Sequence, residues 1–161
     1  LVSEDVRLDE VDKEIIRRLA VMGREGIREI ARALGKAPST IVFRIRRLER
    51  TGVIKGFTAL LDYRKLGYQI NALTLLQVDG AHIEEVEEML AKESNVRAVY
   101  DITGEYDIAI ITSFKTIEDL DKFIKRLIKI PYVKRSMTSI AFRVVKETPH
   151  IEEFIKGKGR S

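Results

Sequence analysis

The chain has 161 residues, 45% hydrophobic and 34% charged, enough for one ordinary domain or two small ones and too apolar for disorder. No apolar run approaches the roughly 18 residues of a spanning helix and no signal-peptide block stands near the start, so a cytoplasmic protein without a membrane partner is expected. Cysteine is absent and only His82 and His150 represent histidine, which excludes disulfides, thiolate metal sites and cysteine nucleophiles and leaves no histidine-rich metal site. Residues 1–56 carry 13 Lys/Arg against 9 Asp/Glu, whereas residues 57–161 carry 16 of each, so the whole surplus of +4 lies in the first third.

Residues 9–22 read as an amphipathic helix. Asp9 is a candidate N-cap, Asp12 and Glu14 put negative charge in the first turn, and Val11, Ile15, Leu19 and Met22 recur at helical spacing. A second helix over 27–34 gathers Ile27, Ile30, Ala31 and Leu34 on one face and stops at Gly35. Pro38 suits a first helical position, where its missing N–H costs nothing, and opens a third helix over 38–51 with Ile41, Ile45 and Leu48 on one face. The last two helices and their glycine-containing turn match a helix-turn-helix whose core the first helix completes. The β-branched and aromatic run over 53–61 reads as the strand of a winged helix, and 62–67 as a turn. The expected division is therefore a winged helix-turn-helix with its linking strand over 1–62 and a second domain over 63–161.

Projected at 100° per residue, the third helix sets Ser39, Phe43, Arg46 and Arg50 opposite its apolar face, with Thr40, Arg44 and Arg47 on one flank. Hydroxyls near the helix start and guanidinium groups beyond them suit a major groove, so double-stranded DNA is the expected partner. Each arginine either reads a base or grips a phosphate, with phosphate contact the better assignment for the group. Phe43 meets either a thymine methyl or a neighbouring helix or wing, and Arg44 is alternatively a structural partner of a nearby acid.

The rest of the chain reads as strand over 70–79, helix over 82–92, strand over 96–103, strand over 108–114, helix over 116–130 and strand over 134–146. Glu84, Glu85, Glu87 and Glu88 form the outward face of the first of these helices, and the tail beyond Pro149 is short and frayed. This βαββαβ order is the ferredoxin-like plan, giving an α+β protein. Leu73, Leu75, Val99, Ile108, Ile110, Ile140 and Phe142 supply more apolar surface than two helices cover, which predicts a sheet-to-sheet homodimer. Such a dimer pairs two recognition helices on half-sites about 34 Å apart, or multiples of that.

Taken together, these segments resemble the Lrp/AsnC (feast/famine) family of transcriptional regulators. The resemblance rests on Leu8-Asp9 with Asp12 and Ile15-Ile16, Ile30-Ala31, Ser39-Thr40-Ile41, Arg44-Ile45-Arg46-Arg47-Leu48-Glu49 and Gly52-Val53-Ile54, then Leu66-Gly67, Thr103-Gly104-Glu105-Tyr106-Asp107 and Ile130-Pro131-Tyr132-Val133. It implies dimers, often assembled into octamers, and an amino-acid effector held between sensing domains by Gly104, Tyr106, Asp107 and Thr138. In that role Asp107 pairs with the α-ammonium group and N–H groups around Gly104 hold the carboxylate; alternatively Gly104 only permits a tight turn that Asp107 caps. Ala37 departs from the family pattern by replacing a capping Ser.

Two other classes compete with a regulator. One is an architectural protein that wraps DNA and senses nothing. The other is an enzyme like the tetrapyrrole decarboxylases that share this scaffold. No paired carboxylates, Ser/His/Asp set or phosphate-cradling glycine loop supports catalysis, and neither a cofactor nor a metal is expected.

Overall fold

The computed structural model describes residues 6–157, which divide into two units. The first contains helices α1 (Glu10–Val21), α2 (Ile27–Leu34) and α3 (Pro38–Arg50). Each helix end follows from local chemistry. Asp9 caps α1 by accepting the Asp12 N–H at 2.8 Å, while the Asp12 carboxylate accepts the Asp9 N–H at 3.0 Å. Glu29 reaches back to the Gly26 N–H at 2.9 Å at the start of α2, and Gly35 ends that helix at φ 60°, a left-handed conformation that glycine adopts without a Cβ clash. Ile15, Ile30, Ala31, Ile41, Ile45 and Leu48 form the core, flanked by Val11, Leu19, Val53 and Ile54.

The wing strand expected over 53–61 is not formed. Ile54 still donates to the Leu48 carbonyl at 3.0 Å, but Phe57, Leu60 and Leu61 lie exposed outside any regular element. Apolar, β-branched composition favours a strand only where a second edge supplies hydrogen bonds, and among the described residues of this unit no other strand does so. The tail also differs from the expected division. It does not stay with the sheet: residues 147–157 join the helical unit, where the short helix α6 (Glu152–Lys156) packs on α1. Arg17 donates to the Phe154 carbonyl at 3.0 Å and lies over its ring, and an open groove of about 1130 Å³ separates the two helices.

The second unit, Leu61–Lys146, is a four-stranded antiparallel sheet with two helices. Its elements are β1 (Ile70–Val78), a 3₁₀ turn (Gly80–His82), α4 (Ile83–Ala91), β2 (Val96–Asp101), β3 (Ile108–Phe114), α5 (Ile117–Leu127) and β4 (Val133–Ile140). The strand order β2-β3-β1-β4 is ferredoxin-like. Ala72, Leu76, Val78, Ile108, Ile110 and Phe114 meet Val86 and Leu90 of α4 and Leu120, Phe123 and Leu127 of α5. Ile108, Ile110 and Val99 therefore serve the helix-covered core rather than a surplus apolar face. The open face is a different row: Tyr100 and Leu75 each oppose Ala109, Met137 opposes Leu75, and Leu73 follows two residues before Leu75. Tyr100, Met137 and Leu73 are 56%, 44% and 40% exposed.

Two further expectations are corrected by the sheet. β4 stops at Ile140, opposite Ala72, because β1 begins only two residues earlier and one more bond, Ala141 N–H to the Asn71 carbonyl at 2.8 Å, exhausts it; Phe142 is left fully exposed. Glu87 does not share the solvated face of α4. It is half-buried with a carboxylate oxygen that has no hydrogen-bond partner, and desolvation together with Asp101 and Glu84 raises its pKa.

Candidate nucleic-acid interface

Helix α3 presents Ser39, Phe43, Arg46 and Arg50 to solvent, with Phe43 66% exposed and Thr40 half-buried. Its N-terminus lacks a side-chain cap because Ala37 has no oxygen to offer, and Pro38 removes one of the unpaired N–H donors. Among the described residues Arg46 and Arg50 make no ion pair, and neither do Arg28 and Arg32 one turn apart on α2 or Lys36 in the turn. These five cations form the accessible positive charge of the helix-turn-helix. The i,i+4 spacing of Arg28 and Arg32 is the sequence signal that puts both on one face of α2.

Arg44 and Arg47 behave differently, since both turn toward the start of α1. Arg44 Nη1 donates to both oxygens of Asp9, at 2.7 and 2.8 Å, and to Asp12 Oδ1 at 2.8 Å. Arg47 Nη2 donates to the other Asp12 oxygen. Asp12 is 1% exposed, so two guanidinium groups satisfy a buried carboxylate that would otherwise oppose folding. The bond from Arg44, supported by the Asp12 N–H, holds the Asp9 carboxyl down at about 2, and the two aspartates raise the pKa of Arg44. Spacing alone shows Asp9 and Asp12 as cap and first-turn acids. Their pairing to residues more than thirty positions away requires the packing of α1 on α3.

In the sheet unit, Gly104 turns the β2–β3 loop at φ 123°, and the loop closes through Ile102 N–H to the Asp107 carbonyl at 2.8 Å. Asp107 Oδ2 accepts the Val78 N–H at 2.7 Å, which ties the loop to the end of β1. Tyr106 is buried, with the Arg135 guanidinium 5.7 Å from its ring centroid, and Arg135 pairs with Glu105 at 2.8 Å. Thr138 lies on β4, where its hydroxyl meets that of Thr74 at 2.9 Å. Gly104, Tyr106 and Asp107 thus form one cluster at the sheet end, and Thr138 is bonded to a neighbouring part of β1. His82 stacks on Tyr132 with ring centroids 3.6 Å apart.

A helix-turn-helix with an accessible basic helix, carried on the same chain as a ferredoxin-like α+β domain, defines a DNA-binding protein with an attached second domain. Residues 8–49 match the AsnC-type helix-turn-helix domain and residues 71–151 the Lrp/AsnC ligand binding domain. The chain belongs to the Lrp/AsnC family of transcriptional regulators, which are not enzymes. An HTH-type transcriptional regulator of Pyrococcus abyssi is 43% identical over 145 residues, covering 90% of this chain and 99% of the relative. The regulator FL11 of Pyrococcus horikoshii is 40% identical over 146 residues, covering 91% and 97%. Among solved structures, LrpC of B. subtilis is similar with a TM-score of 0.76 and 26% identity, over 87% of this chain and 98% of that one. A Neisseria meningitidis transcriptional regulator solved as an L-Met complex shares the fold with a TM-score of 0.82 and 22% identity, over 90% and 96%. Among the described residues no helix is long and apolar enough to cross a membrane.

Proposed function

We propose that this regulator acts as a homodimer, with octamers as its higher assembly, that reads selected DNA sequences through α3 and responds to an amino acid bound by its sheet domain. The observation that carries the DNA reading is the division within α3. Arg46 and Arg50 stand exposed and unpaired beside Ser39 and Phe43, while Arg44 and Arg47 are held by aspartates. Arg46 and Arg50 are assigned to phosphates or guanine edges, Ser39 and Thr40 to the groove near the helix start, and Phe43 to a thymine methyl. Arg28, Arg32 and Lys36 add phosphate contacts from the helix that crosses the backbone. Selection of bound duplexes from a random pool tests this directly. An enriched motif whose affinity falls steeply with salt is the expected result, and no binding in dilute buffer overturns it.

Dimerisation is assigned to the row Tyr100, Leu75, Met137 and Leu73, an apolar surface of the kind that soluble proteins cover by association. Replacing Leu73 and Met137 together by Asp is expected to leave the fold intact, since both are exposed, and to yield monomers by light scattering. DNA affinity should fall at least tenfold as two linked half-site contacts become one. A dimer that survives both changes places the interface elsewhere.

For the effector, Gly104, Tyr106, Asp107 and Thr138 remain the assigned residues, with the second Asp107 oxygen toward the ammonium group and N–H groups near Gly104 toward the carboxylate. One observation favours the architectural alternative without an effector: Asp107 already bonds Val78 and Thr138 already bonds Thr74. A thermal-shift screen of the twenty amino acids separates the two. A ligand at 100 times its Kd stabilises a single-site protein by about 2.7 kcal/mol, a shift of several degrees, whereas the alternative gives none.

A further inference from the structure

Helix α3 carries four arginines, yet two of them are tied to the start of α1 at very different depths. Asp12 is 1% exposed and anchors Arg44 and Arg47 from below. The Asp9 side chain is 55% exposed and meets Arg44 on its outer side. Arg44 uses only Nη1 for its three bonds, which leaves Nη2 and Nε without a protein acceptor among the described residues. A phosphate presents the same array of anionic oxygens to a guanidinium as a carboxylate does. An exposed ion pair is weak in water, so an arriving phosphate can take the place of its acid.

We propose that Asp9 is an intramolecular stand-in for a DNA phosphate, occupying the outer side of Arg44 and thereby lowering the affinity of the helix-turn-helix for DNA. The proposal rests on the DNA-binding reading of α3 and adds to it a residue of α1 that sets how strongly DNA is held. Asp12 keeps Arg44 positioned whether or not Asp9 is displaced, so the exchange leaves the buried pair whole. Asp9 is ionised throughout the neutral range, as an exposed carboxylate is, and its charge opposes any phosphate approaching the same guanidinium.

The test is a double-mutant cycle on the full chain, read by fluorescence anisotropy with a labelled duplex between 50 and 200 mM salt. Asp9→Asn removes the charge and keeps a good helix cap. It is expected to bind DNA about three- to tenfold more tightly at 50 mM salt. One added phosphate contact steepens the salt slope by about 0.9, so that advantage shrinks roughly threefold by 200 mM. In an Arg44→Gln background the same change at Asp9 is expected to give no gain. Asp9→Ser, also a capping residue, serves as the second variant and should reproduce the gain. Unchanged or weaker binding by both Asp9 variants overturns the proposal, and so does a gain that persists undiminished without Arg44, which would mark it as general electrostatics. A wild-type chain with no salt-sensitive affinity overturns the underlying DNA reading, an outcome visible before any variant is compared.

Discussion

Replacing Arg46 and Arg50 together by alanine is expected to lower DNA affinity by at least tenfold at moderate salt and to flatten its salt dependence. Each phosphate contact contributes about 0.9 to the slope of log affinity against log salt, so the loss of two should reduce that slope by close to two. Stability should not change, because both side chains are exposed and neither is paired among the described residues. Surface substitutions of that kind usually stay within about 0.5 kcal/mol. Anisotropy titrations at four salt concentrations, paired with a thermal melt, give both quantities. If either arginine reads a guanine edge instead, its removal also relaxes sequence preference at one position, with a cost of about 1–3 kcal/mol confined to the cognate duplex. An unchanged slope would show that the exposed side of α3 does not meet the backbone.

That division among the arginines marks the limit of what the amino-acid order alone reveals. Ile41, Ile45 and Leu48 define the buried face of α3 by spacing, and Pro38 and Gly52 bracket the helix, so the outward projection of Arg46 and Arg50 follows without a structure. Arg44 and Arg47 sit on the flank, where a rotation of a few tens of degrees decides between DNA and protein. Their partners Asp9 and Asp12 are chosen by the packing of α1 on α3, a long-range event that leaves no periodic trace.

The same distinction explains the differences in the fold. Helices carry their hydrogen bonds internally, so α1 to α5 are readable from local pattern. Strands depend on what lies beside them. Val53 to Ile54 and the run beyond have strand composition and no ladder, while β4 ends where β1 has no more residues to offer. The return of α6 to α1 brings together residues far apart along the chain, among them Phe154 and Arg17. In the loop at the sheet end, Gly104 was legible as a turn, whereas the bond from Val78 to Asp107 was not, because it joins elements separated by a whole helix and strand.

The second large effect concerns Asp12, and here stability is the readout. Asp12→Ala removes the acceptor of Arg47 and one of the three bonds of Arg44, and it also strips the carboxylate from the Asp9 N–H. Arg47 already holds its Nε buried without an acceptor, so the variant adds a second unmet donor to the same side chain. Breaking a buried pair by deleting one partner costs about 3–5 kcal/mol. The two guanidinium groups here are 23% and 32% exposed, so water takes over part of the lost solvation and an expected loss of about 2–3 kcal/mol is more apt. For a unit of this size that lowers Tm by about 10 °C or more. Asp12→Asn keeps an acceptor for the Asp9 N–H and one arginine, and should lose less than half as much. The decisive comparison adds Arg44→Gln and Arg47→Leu to Asp12→Leu. If the penalty of Asp12→Ala comes from stranded cations, the triple variant regains most of the stability, because it removes both guanidinium charges together with the carboxylate that neutralised them. If the triple variant is as unstable as Asp12→Ala, the aspartate acts through its cap on α1, and hydrogen exchange should then show fraying confined to the first turn of that helix.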